Sequence, residues 1–209
     1  MGVSVARIDD YLTAKRIAVE KLSTVSFADL ANRTRFEVLH GNTFRVPFLN
    51  RIYQLRWPEF EFEDESEEKK EIPIQEQVLI LHYMEALRSS ILPGNWIAYR
   101  EIPGASFYYS AFIKRAIDPL KKVFGSDIAA FSKAAERVQG IAIDAGDAAF
   151  EFEVFHGVPV QLILWEGDDE FGPEANIIFD CSIGAIMSPE DVAWMSGMLV
   201  YRLIALAKA

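Results

Sequence analysis

The chain has 209 residues, of which 51% are hydrophobic and 25% are charged. A chain of this length buries about two thirds of its unfolded surface, so this composition excludes a disordered chain, a collagen and a disulfide-stabilised miniprotein. With 21 basic against 31 acidic residues, the formal net charge is −10. No run of Lys and Arg offers the basic patch that nucleic-acid binding needs, so we expect no nucleic-acid partner.

The N-terminal part, residues 1–58, is predicted to form two helices and a small antiparallel meander. Apolar residues at helical spacing indicate a first helix over 5–23, and a second short helix follows near 26–32. β-branched and aromatic residues then alternate with polar ones, which predicts strands over 36–39, 43–48 and 51–57.

Residues 59–72 form an acidic segment. It begins with the Glu-Phe-Glu-Phe alternation of a strand and then becomes mostly charged, with eight acidic residues against two lysines between Glu59 and Glu71. We interpret it as a solvated loop, and the alternative is a segment that binds a partner.

The main part, residues 73–209, is predicted to alternate helices with strands. A buried helix over 74–90 precedes a short strand over 96–102 and a helix that starts at Ser106, which Pro119 kinks or restarts. A helix over 127–138 and a closing helix over 189–207 flank four strands at 140–143, 149–155, 158–165 and 177–181.

The closing helix has the clearest start signal in the chain. Ser188 is placed to cap it, Pro189 takes the first helical position and Asp191 follows three residues after the cap. Its apolar stretch, 192–207, is interrupted by polar residues and is shorter than the about 20 residues that a membrane-spanning helix needs. We therefore expect a buried helix or a subunit contact, and no membrane partner.

Successive strands with short connections pair antiparallel. The sequence thus predicts an α+β fold, an antiparallel sheet with packed helices, in a single domain over 1–209. Residues 1–12 lack the apolar run of a secretory signal, which predicts a cytoplasmic protein.

Carboxylates crowd together after the strand at 158–165. Glu166, Asp168 and Asp169 follow it directly, and a two-residue turn at His156 and Gly157 would place Asp147 opposite Glu166. These four residues, Asp147, Glu166, Asp168 and Asp169, are candidate ligands for a divalent cation. A solvated hairpin loop is the alternative explanation.

A second group of candidates combines arginines with tyrosines. Arg100, Glu101, Tyr108, Tyr109 and Arg115 would form an aromatic-walled site in which two guanidinium groups bind an anion by paired hydrogen bonds. Alternatively, Arg100 and Arg115 neutralise acids such as Glu101 or Asp118, while the aromatic rings fill the core.

The sequence offers no established catalytic motif. The three histidines lack a nucleophile elbow or metal-ligand spacing, and no glycine-rich phosphate loop is present. Cys181 is the only cysteine, which excludes an intrachain disulfide and an iron–sulfur cluster held by four cysteines of this chain. Whether the protein is an enzyme stays open.

Several segments resemble the family of domains of unknown function 3786. They are Trp165-Glu166-Gly167-Asp168-Asp169-Glu170-Phe171, Ile178-Phe179-Asp180, Ser188-Pro189-Glu190-Asp191, Arg100-Glu101-Ile102-Pro103-Gly104 and Phe107-Tyr108. The resemblance spans about Gln75 to Leu203. It implies an origin in anaerobic bacteria or archaea, where some members carry an additional iron–sulfur module, but Cys181 alone cannot supply one. The family provides no catalytic residues to transfer.

Three functions therefore remain. The first is an accessory protein that binds a ligand or a partner near the acidic segment and the tyrosine–arginine segment, as a homodimer or with another protein. The second is a hydrolase or transferase in which Asp147, Glu166 and Asp168 hold a divalent metal that activates water. The third is a structural subunit of a larger assembly.

Overall fold

The computed structural model describes residues 5–66, 68–86 and 94–208. The chain forms two compact units, unit 1 over Met1–Ser89 and unit 2 over Ser90–Ala209. Each unit combines helices with one antiparallel sheet, so the predicted α+β class is confirmed. The single-domain organisation stays a prediction.

Unit 1 consists of three helices and a four-stranded sheet. The helices are α1 (Val5–Leu22), α2 (Phe27–Thr34) and α3 (Ile74–Glu85). The strands, in spatial order, are β1 (Glu37–Leu39), β2 (Thr43–Phe48), β3 (Arg51–Arg56) and β4 (Glu61–Asp64). The meander is thus confirmed, and the start of the acidic segment adds its fourth strand. Part of the helix predicted over 74–90 lies outside the described residues.

A buried polar contact joins α3 to the sheet of unit 1. The Tyr53 hydroxyl donates a hydrogen bond to Glu76, and both side chains are buried. Burial raises the pKa of Tyr53 to about 12, and the hydrogen bond to Glu76 acts in the same direction. The hydroxyl therefore stays protonated and satisfies a carboxylate that would otherwise be costly to bury.

Unit 2 contains a five-stranded sheet in the order β5-β9-β8-β7-β6. The strands are β5 (Trp96–Ala98), β6 (Ile141–Ala142), β7 (Ala148–Phe155), β8 (Val158–Trp165) and β9 (Glu174–Asp180). The helices are α4 (Tyr109–Phe112), α5 (Asp118–Phe124), α6 (Ile128–Glu136), α7 (Ile183–Ile186) and α8 (Pro189–Ala207).

Helix α8 has the predicted bounds. The Ser188 hydroxyl oxygen accepts a hydrogen bond from the backbone N–H of Asp191 at 3.1 Å and satisfies one of the free donors of the first turn. The apolar side chains of α8 lie in the core of unit 2. The buried helix is therefore confirmed, and a subunit contact through α8 stays a prediction.

Two predictions between residues 96 and 124 were wrong in detail. The strand expected over 96–102 ends at Ala98, and a 3₁₀ turn over Tyr99–Glu101 follows it. The helix expected from Ser106 consists of α4, a π-helical turn over Ile113–Ile117, and α5, so its start at Ser106 is wrong while the restart predicted at Pro119 is confirmed. Pro119 explains the π turn, because its ring would clash with the carbonyl of Arg115 in a regular α-helix.

Candidate functional site

The loop that contains Glu166, Asp168 and Asp169, which we name the acidic loop, follows a strand pair whose register differs from the predicted one. Ala148 pairs with Leu164, one residue away from the partner that an unbulged turn requires, because a β-bulge lies between Glu153 and Phe155. The predicted strand pairing of Asp147 with Glu166 is therefore wrong. The two residues still meet, since the Asp147 carboxylate accepts a hydrogen bond from the backbone N–H of Glu166 at 2.8 Å.

Asp168 organises the acidic loop through its own backbone. Its carboxylate accepts hydrogen bonds from the N–H groups of Phe171 at 2.6 Å and Glu170 at 2.8 Å. These two bonds hold the pKa of Asp168 below its ordinary value. Its charge is thus stabilised by backbone dipoles without requiring a cation.

Within the residues that the structure describes, no group of three or more His, Cys, Asp or Glu side chains is placed to hold a metal ion. The metal site expected at Asp147, Glu166, Asp168 and Asp169 stays a prediction.

The acidic loop rests on the end of α5 at Gly125. The Gly167 N–H donates a hydrogen bond to the Gly125 carbonyl at 3.1 Å. A Cβ atom at Gly125 would overlap the Pro173 ring and lie 2.5 Å from the carbonyl oxygen of Lys121. Only glycine allows this close approach of the loop to the helix.

We therefore expect Gly125→Ala to lower the free energy of unfolding by about 2 kcal/mol, the usual effect of overpacking. Urea denaturation measures the loss. Gly172→Ala is the matched control, because a Cβ atom there meets nothing within 4 Å. Equal stability of the two variants would contradict this account of the loop.

The candidate ligand-binding residues lie in one part of unit 2, which we name the aromatic–arginine cluster. Its members come from the 3₁₀ turn over Tyr99–Glu101, α4 and the residue before it, the π turn, and the first two turns of α8. They are Tyr99, Arg100, Tyr108, Tyr109, Phe112, Arg115, Glu190 and Trp194.

Stacked rings form the base of this cluster. Tyr99 and Phe112 are parallel, with ring centroids 4.1 Å apart and an interplanar angle of 4°. The ring centroid of Tyr109 lies 6.3 Å from the centroid of each of these two rings. The buried Tyr99 also donates a hydrogen bond from its hydroxyl to the Pro189 carbonyl at 2.7 Å, which ties the base to the start of α8.

Each arginine of the cluster covers an aromatic ring. The Arg100 guanidinium carbon lies 3.8 Å from the centroid of Tyr109, and that of Arg115 lies 4.1 Å from the centroid of Trp194. A guanidinium group that is attracted to a ring face keeps its N–H donors in its own plane, where they remain available.

Neither arginine forms an ion pair with a carboxylate in the described part of unit 2. The alternative in which Glu101 or Asp118 neutralises them is therefore not observed. Glu101 instead accepts a hydrogen bond from the backbone N–H of Ala98 at 2.6 Å, which stabilises the 3₁₀ turn.

The hydroxyl groups of Tyr99 and Tyr108 remain protonated at neutral pH. The negative charge of Glu190, and a hydrogen bond with its side chain, raise the pKa of Tyr108. Burial raises the pKa of Tyr99 to about 12, with further contributions from Tyr108 and Glu190, while Arg115 opposes them. The tyrosines are thus suited to hydrogen bonding and not to general-base catalysis.

Sequence reasoning missed Glu190 and Trp194. They lie four residues apart and so share one face of α8, but nothing local connects them with Arg115, from which they are far apart in sequence. The sequence signal that locates these two residues is the helix start at Ser188–Pro189, because it determines which residues form the first turns of α8.

A family model described as a domain of unknown function (DUF3786) matches residues 26–202. No curated protein and no solved structure matches the chain.

Across the described ranges, none of the helices combines the length and the apolar character needed to cross a membrane.

Proposed function

We propose that this chain, which belongs to the DUF3786 family, is a ligand-binding accessory protein whose unit 2 binds a small organic anion at the aromatic–arginine cluster. The observation that supports this proposal is the pair of guanidinium groups, Arg100 on Tyr109 and Arg115 on Trp194, without an ion pair in the described part of unit 2. Each guanidinium group offers a planar pair of N–H donors that matches two oxygens of a carboxylate or a phosphate.

Stacking on an aromatic ring restricts the side chains of both arginines before a ligand binds. A stacked guanidinium group has lost part of its rotational freedom before the ligand arrives, so less entropy is lost on binding. Arg115, Tyr108, Tyr109 and Trp194 are half-buried and Arg100 is exposed, so a ligand can reach the donors and still contact apolar rings. The ligand therefore combines an anionic group with a flat or apolar body.

The other functions have less support. The hydrolase or transferase needs a metal held by Asp147, Glu166 and Asp168, and two of these carboxylates already accept backbone hydrogen bonds. For a structural subunit, no contact among the described residues identifies an assembly surface. A cytoplasmic location and the absence of a nucleic-acid partner remain part of the proposal, and the latter agrees with the net charge of −10.

Benzoate is a suitable probe, because its carboxylate and ring represent the two parts of the proposed ligand. We expect benzoate to shift the side-chain Nε–Hε NMR signals of Arg100 and Arg115 in a saturable way. Arg115→Lys keeps the charge but removes the planar pair of donors, and we expect it to weaken binding by about tenfold or more.

Arg56→Ala is the matched control, since Arg56 is an exposed arginine of unit 1 that pairs with Glu61. We expect it to leave benzoate binding unchanged. If benzoate produces no saturable shift in the wild-type protein, or if Arg56→Ala weakens binding as much as Arg115→Lys does, the proposal is wrong.

A further inference from the structure

Charges of opposite sign act on the Tyr99 hydroxyl. Burial raises the pKa of this hydroxyl most, Glu190 acts in the same direction and Arg115 opposes it. Yet Glu190 and Arg115 form no ion pair in the described part of unit 2. Two opposite charges that are held apart in this way remain available to a ligand that carries both signs.

Helix α8 sets the spacing between these charges. Glu190 and Trp194 are four residues apart, which separates them by a rise of about 6 Å on one helix face. Glu190 interacts with the Tyr108 hydroxyl, and the Arg115 guanidinium covers the Trp194 ring. The Glu190 carboxylate and the Arg115 guanidinium group therefore lie about one helical turn apart along α8.

Gly197 keeps the guanidinium side of this arrangement close to α8. A Cβ atom at Gly197 would lie 3.3 Å from both the Cβ atom and the carbonyl oxygen of Arg115. The helix and the π turn that carries Arg115 thus approach each other at van der Waals distance. Two packed elements, and not a mobile loop, set the position of the positive charge.

From this arrangement we infer that the ligand is a zwitterion, an organic acid that also carries an ammonium group, such as an α-amino acid with an apolar side chain. Its carboxylate pairs with Arg115, its ammonium group pairs with Glu190, and its apolar side chain contacts the tyrosine and tryptophan rings. This inference rests on the proposed function, because it uses the same arginine to hold the anionic group.

Three small molecules that differ by one group test the inference. Phenylalanine carries both charges, 3-phenylpropionate lacks the ammonium group and 2-phenylethylamine lacks the carboxylate. We expect phenylalanine to bind about tenfold more tightly than either of the other two, because it alone forms both charge-assisted contacts. Titrations followed by the Arg115 Nε–Hε signal and by calorimetry give the three dissociation constants.

Glu190→Gln is the decisive variant, because it removes the charge and keeps the shape and hydrogen-bonding capacity of the side chain. We expect it to abolish the preference for phenylalanine while 3-phenylpropionate binds at least as tightly as before. Glu136→Gln, which removes an exposed charge at the end of α6 by the same substitution, is the control and should leave the preference intact. Backbone NMR spectra confirm that both variants are folded.

The outcomes separate the two proposals. If 3-phenylpropionate binds in an Arg115-dependent manner and phenylalanine binds no more tightly, the zwitterion inference is overturned and the anion site stands. A preference for phenylalanine that survives Glu190→Gln also overturns the inference. If no carboxylate binds, both proposals are overturned.

Discussion

Replacement of Asp180 by alanine is expected to lower the free energy of unfolding of the protein by about 3 kcal/mol. Asp180 ends β9 with only 1% of its surface exposed. Its carboxylate accepts hydrogen bonds from the backbone N–H groups of Gly94 at 2.7 Å and Ser182 at 2.9 Å. Alanine leaves both donors without their charged acceptor in a site that excludes most water, and urea denaturation measures the effect.

Two further variants define the cause of this loss. Asp180→Asn keeps one carbonyl acceptor and removes the charge, so its stability should lie between those of the wild type and Asp180→Ala. Asp169→Ala removes a carboxylate from the exposed loop and should change the stability by less than about 0.5 kcal/mol. A loss at Asp169 as large as that at Asp180 would show that net charge, and not the hydrogen bonds, determines the stability.

The same carboxylate predicts a pH dependence. Burial acts to raise the pKa of Asp180, but the hydrogen bonds from Ser182 and Gly94 outweigh it and hold the pKa below its ordinary value. A carboxyl group with a lowered pKa in the folded state stabilises the protein fully above its unfolded pKa of about 3.9 and loses that effect at lower pH. The stability difference between wild type and Asp180→Ala should therefore shrink below about pH 4 and stay constant from pH 5 to 7.

Local signals were sufficient for much of the fold. The three strands of the meander followed from alternating residues between turn signals, and the start of α8 followed from Ser188, Pro189 and Asp191. These features depend on hydrogen bonds and packing between residues that are close in sequence. Sequence reasoning is most reliable for contacts of this kind.

The features that differ from the sequence-based predictions depend on contacts between residues that are far apart in the sequence. The π turn depends on how Pro119 and α8 accommodate the carbonyl of Arg115, and the bulge near Glu153 moves the register of a whole strand pair. In the candidate site, Arg100 and Arg115 were identifiable because tyrosines lie near them in sequence. Glu190 joins them only through tertiary packing, which periodicity does not encode.

Phe112 offers a test of whether the stacked rings support ligand binding beyond their contribution to stability. Phe112 is 3% exposed, stacks on Tyr99 and contacts Tyr109, whose ring carries Arg100. Phe112→Ala would remove a buried ring and destabilise the protein by about 4 kcal/mol. A variant so unstable does not report on binding, so Phe112→Leu, with an expected loss of about 1.5 kcal/mol, is the informative substitution.

Phe131→Leu supplies the matched comparison. Phe131 is fully buried in the same unit, and its ring partners are Phe124 and Phe150, outside the aromatic–arginine cluster. Both leucine variants should lose similar stability in urea. Only Phe112→Leu should shift the Nε–Hε signal of Arg100 and weaken benzoate binding, because only there does Tyr109 lose its support. Equal binding by the two variants would mean that the rings serve the core alone and that Arg115 binds the anion without them.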